Sequence, residues 1–203
     1  MSKNFPLHPA PALPAKHKGS SLIVVLMILT VVSIAGIAGV QISMLSERSA
    51  RSDRDMQVAW QSAEAGLVDA ENDIFGPGTS TRRALFNDPK DISGFAAGCG
   101  STGNFIGLCA MVSSGKPAWL TVNFETTTTS AQTTQYGQYT GRTLQTGSGI
   151  QPFQSPRYVI EPIRDPADRD LSNPTPAHIY RVTAMGFGPR LEAQAVLQMI
   201  YRK

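Results

Sequence analysis

The run Leu22–Val40, LIVVLMILTVVSIAGIAGV, constrains this chain more than any other stretch, because its 19 residues carry no charge. As an α-helix rising ~1.5 Å per residue, it is just long enough to cross a bilayer's ~30 Å hydrocarbon core. No second run of this kind follows. The 203 residues therefore accommodate one membrane segment and one domain of ordinary size.

Charge is distributed unevenly around that run. Lys3, Lys16 and Lys18 fall within residues 1–19, which hold no acid. The rest of the chain carries 15 basic and 15 acidic side chains, so the net charge of +3 belongs to the leader. A body without excess charge offers no electrostatic footprint for nucleic acid. The leader also contains Pro6, Pro9, Pro11 and Pro14, a density that prevents a helix.

From Ser20 to Gly76 there is no proline, and a helical pattern continues past the apolar run. Charges reappear at Glu47, Arg48, Arg51, Asp53, Arg54 and Asp55. Met56, Trp60, Ala63, Leu67, Ala70 and Ile74 then recur at three- and four-residue spacing, the mark of an amphipathic helix. Trp60, Ala63, Leu67 and Ile74 are the residues expected to pack helix on sheet. Ala59, Ala63, Gly66 and Ala70 form a strip of small residues beside that stripe, and the acids Glu64, Asp69, Glu71 and Asp73 fall mostly off it. The charged segment itself reads as a solvated or intersubunit band. Gly76-Pro77-Gly78 ends the helix.

Beyond the helix the pattern weakens. A short helix fits Thr79 to Phe86, and Gly98–Cys109 is a glycine-rich loop. Alternation predicts a strand over Ala118–Phe124. Residues 126–149 are rich in Thr, Gln, Ser and Gly, which fits an exposed hairpin or a mobile loop without a core of its own. Arg157–Glu161, Ile179–Met185 and Leu191–Tyr201 read as three strands joined by turns. The expected fold is α+β, a long N-terminal helix packed on a small antiparallel sheet. Its divisions are a leader at 1–19, a transmembrane half at 20–45, and a globular domain at 46–203 that includes the amphipathic half of the helix, 46–75.

No arrangement of residues carries catalysis. There is no phosphate-binding glycine loop, no nucleophile elbow and no motif pairing His with carboxylate, so neither enzyme nor cofactor binder is expected. His178, beside a strand, reads as structural. Asp168, Asp170 and Ser172 imitate the start of a calcium loop, but Asn173 and Ile179 stand where glycine and the bidentate Glu belong. A turn is the expectation there, and no metal site. If the body is exported, Cys99 and Cys109 form a disulfide; two free thiols are the alternative.

A basic leader ending in Gly19, an uncharged run within three residues of it, and a continuous helix beyond resemble a type IV prepilin. Ser46-Glu-Arg, Asp53-Arg54-Asp55, Ala59-Trp-Gln-Ser-Ala-Glu-Ala65 and Asp69-Ala-Glu71 look like the PilX group of minor pilins. Pro156-Arg-Tyr-Val-Ile-Glu161, Tyr180-Arg-Val-Thr-Ala184 and Gly186-Phe-Gly188 do as well. The resemblance covers about 20–75 and about 156–202; the middle matches nothing. It implies cleavage by prepilin peptidase between Gly19 and Ser20, and N-methylation of Ser20. Ser20 replaces the family's usual Phe at that position. Major pilins carry Glu at the fifth mature position, where this chain has Val24. That absence is shared with tip subunits of the family, and it implies a role in priming the fibre.

The partners so implied are other minor pilins, the major pilin, prepilin peptidase, the inner-membrane assembly platform, a candidate tip adhesin and inner-membrane lipid, with no nucleic acid. The implied location is the bacterial inner membrane with the domain in the periplasm, then the pilus tip. Two alternatives compete. A K-type minor pseudopilin of type II secretion shares the N-terminal logic but carries a larger inserted domain. A signal-anchored periplasmic adhesive protein that never polymerises would be cut elsewhere, near Gly36-Ile37-Ala38, or not at all.

Overall fold

The computed structural model describes residues 20–76, 82–145, 147–169, 172 and 175–203. The chain divides into two units, residues 1–49 and residues 50–203. Helix α1, Ser20–Phe75, contributes 56 residues to them. The leader falls outside the described residues.

In the first unit, residues 20–49 are helical throughout. Its aliphatic side chains touch no core. Leu22, Ile34 and Ile42 are each about two-thirds exposed, so only lipid or another apolar surface can cover them. Two hydroxyls inside the apolar run are satisfied by the helix itself. Thr30 Oγ1 donates to Met27 O at 2.8 Å and Ser33 Oγ to Leu29 O at 2.7 Å, so neither hydroxyl needs water. The helix is long and apolar enough to cross a membrane.

The second unit holds the sheet. Strands β1 (Thr134–Gln135), β2 (Arg157–Arg164), β3 (His178–Phe187) and β4 (Gln194–Tyr201) pair in sequence order, all antiparallel. Arg157 faces Met185 at one end of the β2–β3 register and Arg164 faces His178 at the other. Residues 50–75 of α1 pack on this sheet. Leu67, Ala70 and Ile74 meet Tyr158, Ile160, Tyr180, Val182 and Ala184, with Phe86, Phe95 and Leu108 completing the core. This is the expected α+β arrangement; β2, β3 and β4 answer the three C-terminal strands that the hydrophobic pattern predicts, while β1 was not expected.

The helix approaches the sheet closely where both are small. Ala59 and Ala63 meet Ala195. A Cβ added at Gly186 would collide with the backbone at Ala63 N and Ala59 O, and one at Gly66 would lie 3.2 Å from Ala184 Cβ. The strip of small residues is therefore the contact face, rather than a flank of it. Trp60, expected on that face, is half exposed, and so is Met56. A bulky ring cannot enter a gap that admits only alanine and glycine; Trp60 instead turns outward and donates Nε1–H to Glu64 Oε1 at 2.9 Å.

Two further expectations are corrected. Ala118–Phe124 is not a strand: Ala118–Leu120 form a 3₁₀ turn. The backbone N–H groups of Thr121 and Val122 both donate to Ala118 O, so the segment closes on itself instead of pairing with a neighbour. Ala118 and Phe124 then plug a second apolar cluster over the sheet with Val159 and Phe187. The Thr/Gln-rich segment is neither isolated nor wholly exposed. It supplies β1, and Ala131, Thr133, Thr134, Tyr139 and Thr140 are buried. Short helical structure covers Arg83–Phe86, while 79–81 lie outside the described residues.

Candidate functional site

Ser20 opens α1, and Gly19, the other side of the expected scissile bond, lies outside the described residues. Val24 follows one helical turn later, half exposed on the apolar unit. No acidic residue occurs between it and Glu47. This end of the chain can offer apolar contact to lipid or to a neighbouring helix, but no carboxylate. Leu67, Ala63 and Ile74 lie in the helix–sheet contact; Trp60 does not.

Buried acids on α1 organise the opposite end. Asp55, Asp69 and Asp73 sit among the buried positions of the helix, although the sequence puts Asp69 and Asp73 mostly off the apolar stripe and Asp55 in a solvated or intersubunit charge band. Asp73 Oδ2 accepts from Arg82 Nε at 2.8 Å and from Tyr158 Oη at 3.0 Å. Arg82 and Asp73 form an ion pair in which both side chains are fully buried. Arg82 also donates from Nη1 to Ile106 O at 2.5 Å and from Nη2 to Thr134 Oγ1 at 3.2 Å, and it lies over the Tyr139 ring at 3.9 Å. One guanidinium thus ties the helix to the 103–106 turn and to β1. Burial lowers its proton affinity, but Asp73 and Tyr158 more than offset this, so the net shift is upward. Burial, with Asp73 beside it, holds the Tyr158 phenol well above its ordinary value.

Asp69, one turn earlier, accepts from Gly137 N at 2.8 Å and from Thr140 Oγ1 at 2.5 Å. Burial pushes its carboxyl above the ordinary range, against those two hydrogen bonds. Near the start of the second unit, Asp55 Oδ2 pairs with Arg190 Nη2 at 2.8 Å, which fixes the turn before β4. The sequence offered one signal for these roles. Asp55, Asp69 and Asp73 share the three- and four-residue spacing of Ala59, Ala63 and Ala70, and so fall on the buried face.

Cys99 and Cys109 are joined by a disulfide. Cys99 takes a left-handed backbone, φ 71°, directly after Gly98 at the same angle. The bridged loop is stitched to the sheet: Cys109 N donates to Ile160 O at 2.9 Å and Ile160 N to Gly107 O at 2.8 Å. Segment 107–109 therefore covers part of the β2 edge that the two-residue β1 leaves open. His178 Nδ1 lies 3.1 Å from Pro89 O, a structural role at the start of β3. Asp168 accepts from Ala177 N at 2.7 Å, while Asp170 and Asn173 of the calcium-like turn lie outside the described residues.

None of these clusters places a nucleophile beside a base. What they build is a packed domain in the second unit, and the first unit is an exposed apolar helix; both are suited to association. A family model described as "PilX N-terminal" matches residues 18–68, and one described as "Type IV pilus assembly protein PilX C-term" matches residues 105–203. Among curated proteins and solved structures there is no match.

Proposed function

The chain belongs to the PilX family of type IV pilus minor pilins, and we propose that it primes assembly of the fibre and remains in the tip complex. Its apolar N-terminal helix suits a membrane anchor, and its family implies contact with other pilus components. In this reading prepilin peptidase cuts between Gly19 and Ser20. The domain lies in the periplasm until the helix leaves the lipid for the fibre, where it meets other minor pilins and the major pilin.

The observation that carries the reading is Val24. After cleavage, Ser20 bears the terminal ammonium and Val24 stands fifth. An ammonium buried among apolar helices is costly unless paired. A subunit with Glu at its fifth position can neutralise the ammonium of the subunit above it, which favours adding it beneath. This chain can receive that contact but cannot give it, so it suits the first position better than the repeating body. Met56, Trp60 and Val68 support the same picture, because they are exposed apolar side chains on the outer side of α1, interrupted by Glu64, where a neighbouring subunit would pack.

The test is the position of the protein along sheared fibres. Wild type labelled at its exposed surface should mark fibre ends, whereas Val24→Glu should appear along the shaft. Even spread of both forms overturns the tip role. Mass spectrometry of the mature N-terminus checks the premise: a terminus at Ser20 is expected, and an intact leader or a terminus near Gly39 defeats it.

A further inference from the structure

The Thr/Gln-rich segment borders an open cavity of about 480 Å³. That lies within the ~300–1,000 Å³ of small-molecule sites. Its polar walls come from Ser101, Thr102, Thr127, Thr129, Gln135 and Arg157. Arg157 and Gln135 oppose each other across β2 and β1, and cross-strand partners project to the same face. Here that face looks into the cavity.

Arg157 is only 4 % exposed, yet it pairs with no carboxylate among the described residues. Its Nε donates to Thr133 Oγ1 at 2.7 Å and its Nη2 to Thr133 O at 2.5 Å, both neutral acceptors. Its Nη1 has no hydrogen bond within the described residues. Burial without a counter-charge pulls its proton affinity down. The contrast with Arg82 is direct, since that fully buried guanidinium has Asp73. A buried cation left without an anion is costly, and a guanidinium fork matches a carboxylate in shape and charge.

The remaining wall narrows the ligand. The side chains of Ser101, Thr102, Thr127, Thr129 and Gln135 make no hydrogen bond to the described protein. Hydroxyls and a carboxamide both donate and accept, as the hydroxyls of a sugar ring require. An inorganic anion needs donors only and would fill little of this volume. We propose that the cavity beside β1 binds an acidic saccharide, its carboxylate on Arg157 and its ring hydroxyls on the surrounding Thr, Ser and Gln side chains. The proposal is independent of the tip role, since such a site could serve the protein at any position in a fibre.

Calorimetric titration of the full-length, detergent-solubilised protein with sodium glucuronate, glucose and inorganic phosphate tests it. Glucuronate should bind, and glucose and phosphate should each bind roughly tenfold or more weakly, the value of one charge-assisted contact or of several hydroxyl contacts. Thr127 and Thr129 are exposed, so Thr127→Val with Thr129→Val should leave the melting temperature unchanged and weaken glucuronate several-fold. Arg157→Lys, which keeps the charge but not the fork, should weaken it as well. Any of three results overturns the proposal: no binding of glucuronate at about 10 mM, phosphate or glucose binding as tightly as glucuronate, or unchanged affinity in the double Thr variant.

Discussion

At the scale of the residue, the domain depends on charges that it hides. Asp73 and Arg82 are both fully buried and joined through more than one nitrogen. A buried pair contributes little net stability over an apolar replacement of the same size, but half of one is expensive. Arg82→Ala should cost about 3–5 kcal/mol, because it strands a carboxylate that then keeps only its other contacts. Asp73→Leu combined with Arg82→Met should recover much of that loss. Urea midpoints of the three variants check this, and a cost for Arg82→Ala below ~1 kcal/mol, the scale of an exposed pair, defeats it. Asp69 behaves differently, since burial raises its carboxyl above 3.8. A raised acid supplies stability below its unfolded value, and that stability is lost as pH rises through the folded value. Wild type should therefore gain on Asp69→Asn as pH falls from 7 towards the ordinary carboxylate range. Thermal unfolding of both proteins across that interval measures the difference, and a flat or opposite trend removes Asp69 as the cause.

At the scale of the element, α1 meets β3 through an absence of side chains. Gly186 faces the backbone of Ala59 and Ala63, so Gly186→Ala must push the helix off the sheet. The expected loss is at least about 2 kcal/mol, or roughly 4–8 °C in melting temperature for a domain of this size. Adding Ala63→Gly should not rescue it, because the atoms in the way are Ala63 N and Ala59 O rather than a side chain. Rescue would mean that the contact is looser than described. The same contact explains what the sequence could reveal. Strands β2 to β4 were legible because β-branched and aromatic residues cluster there between turns. The helix was legible from its missing prolines and its spacing. Its orientation about its own axis was not. Hydrophobic size favoured Trp60, but the sheet opposite carries Gly186, Ala184 and Ala195, and only tertiary pairing reveals that small must meet small. The acids Asp55, Asp69 and Asp73 were misplaced for a related reason: their partners Arg190, Thr140 and Arg82 lie 135, 71 and 9 residues away. The strand β1 was hidden because its two residues are polar and are held by hydrogen bonds rather than by burial of apolar surface. Cys99 and Cys109, by contrast, could be paired from sequence alone on the premise of an exported domain, since the chain holds no other cysteine.

At the scale of the molecule, the two units satisfy opposite solvents. Residues 21–49 bury nothing within the chain, and Thr30 and Ser33 hide their hydroxyls against the helix's own backbone. Among the described residues, the core clusters, strands β1 to β4 and the disulfide all lie within 50–203. Among the described residues none of the core comes from the first unit, so the second should fold without it. A chain starting at Ala50 is expected to be soluble without detergent and to melt within a few degrees of the domain transition in the full chain. Detergent should be needed only when 20–49 are present, because that surface has no cover of its own. The disulfide adds a control within the shortened chain. Closing a loop of 10 residues stabilises by roughly 2–3 kcal/mol on the chain-entropy estimate, so reduction should lower the melting temperature by about 4–12 °C without abolishing the fold. Circular dichroism of the oxidised and reduced forms, with and without residues 1–49, gives the four values needed. An unfolded or aggregated Ala50 chain, under oxidising conditions that preserve the Cys99–Cys109 bridge, would show that the apolar helix contributes to the domain as well as to the membrane.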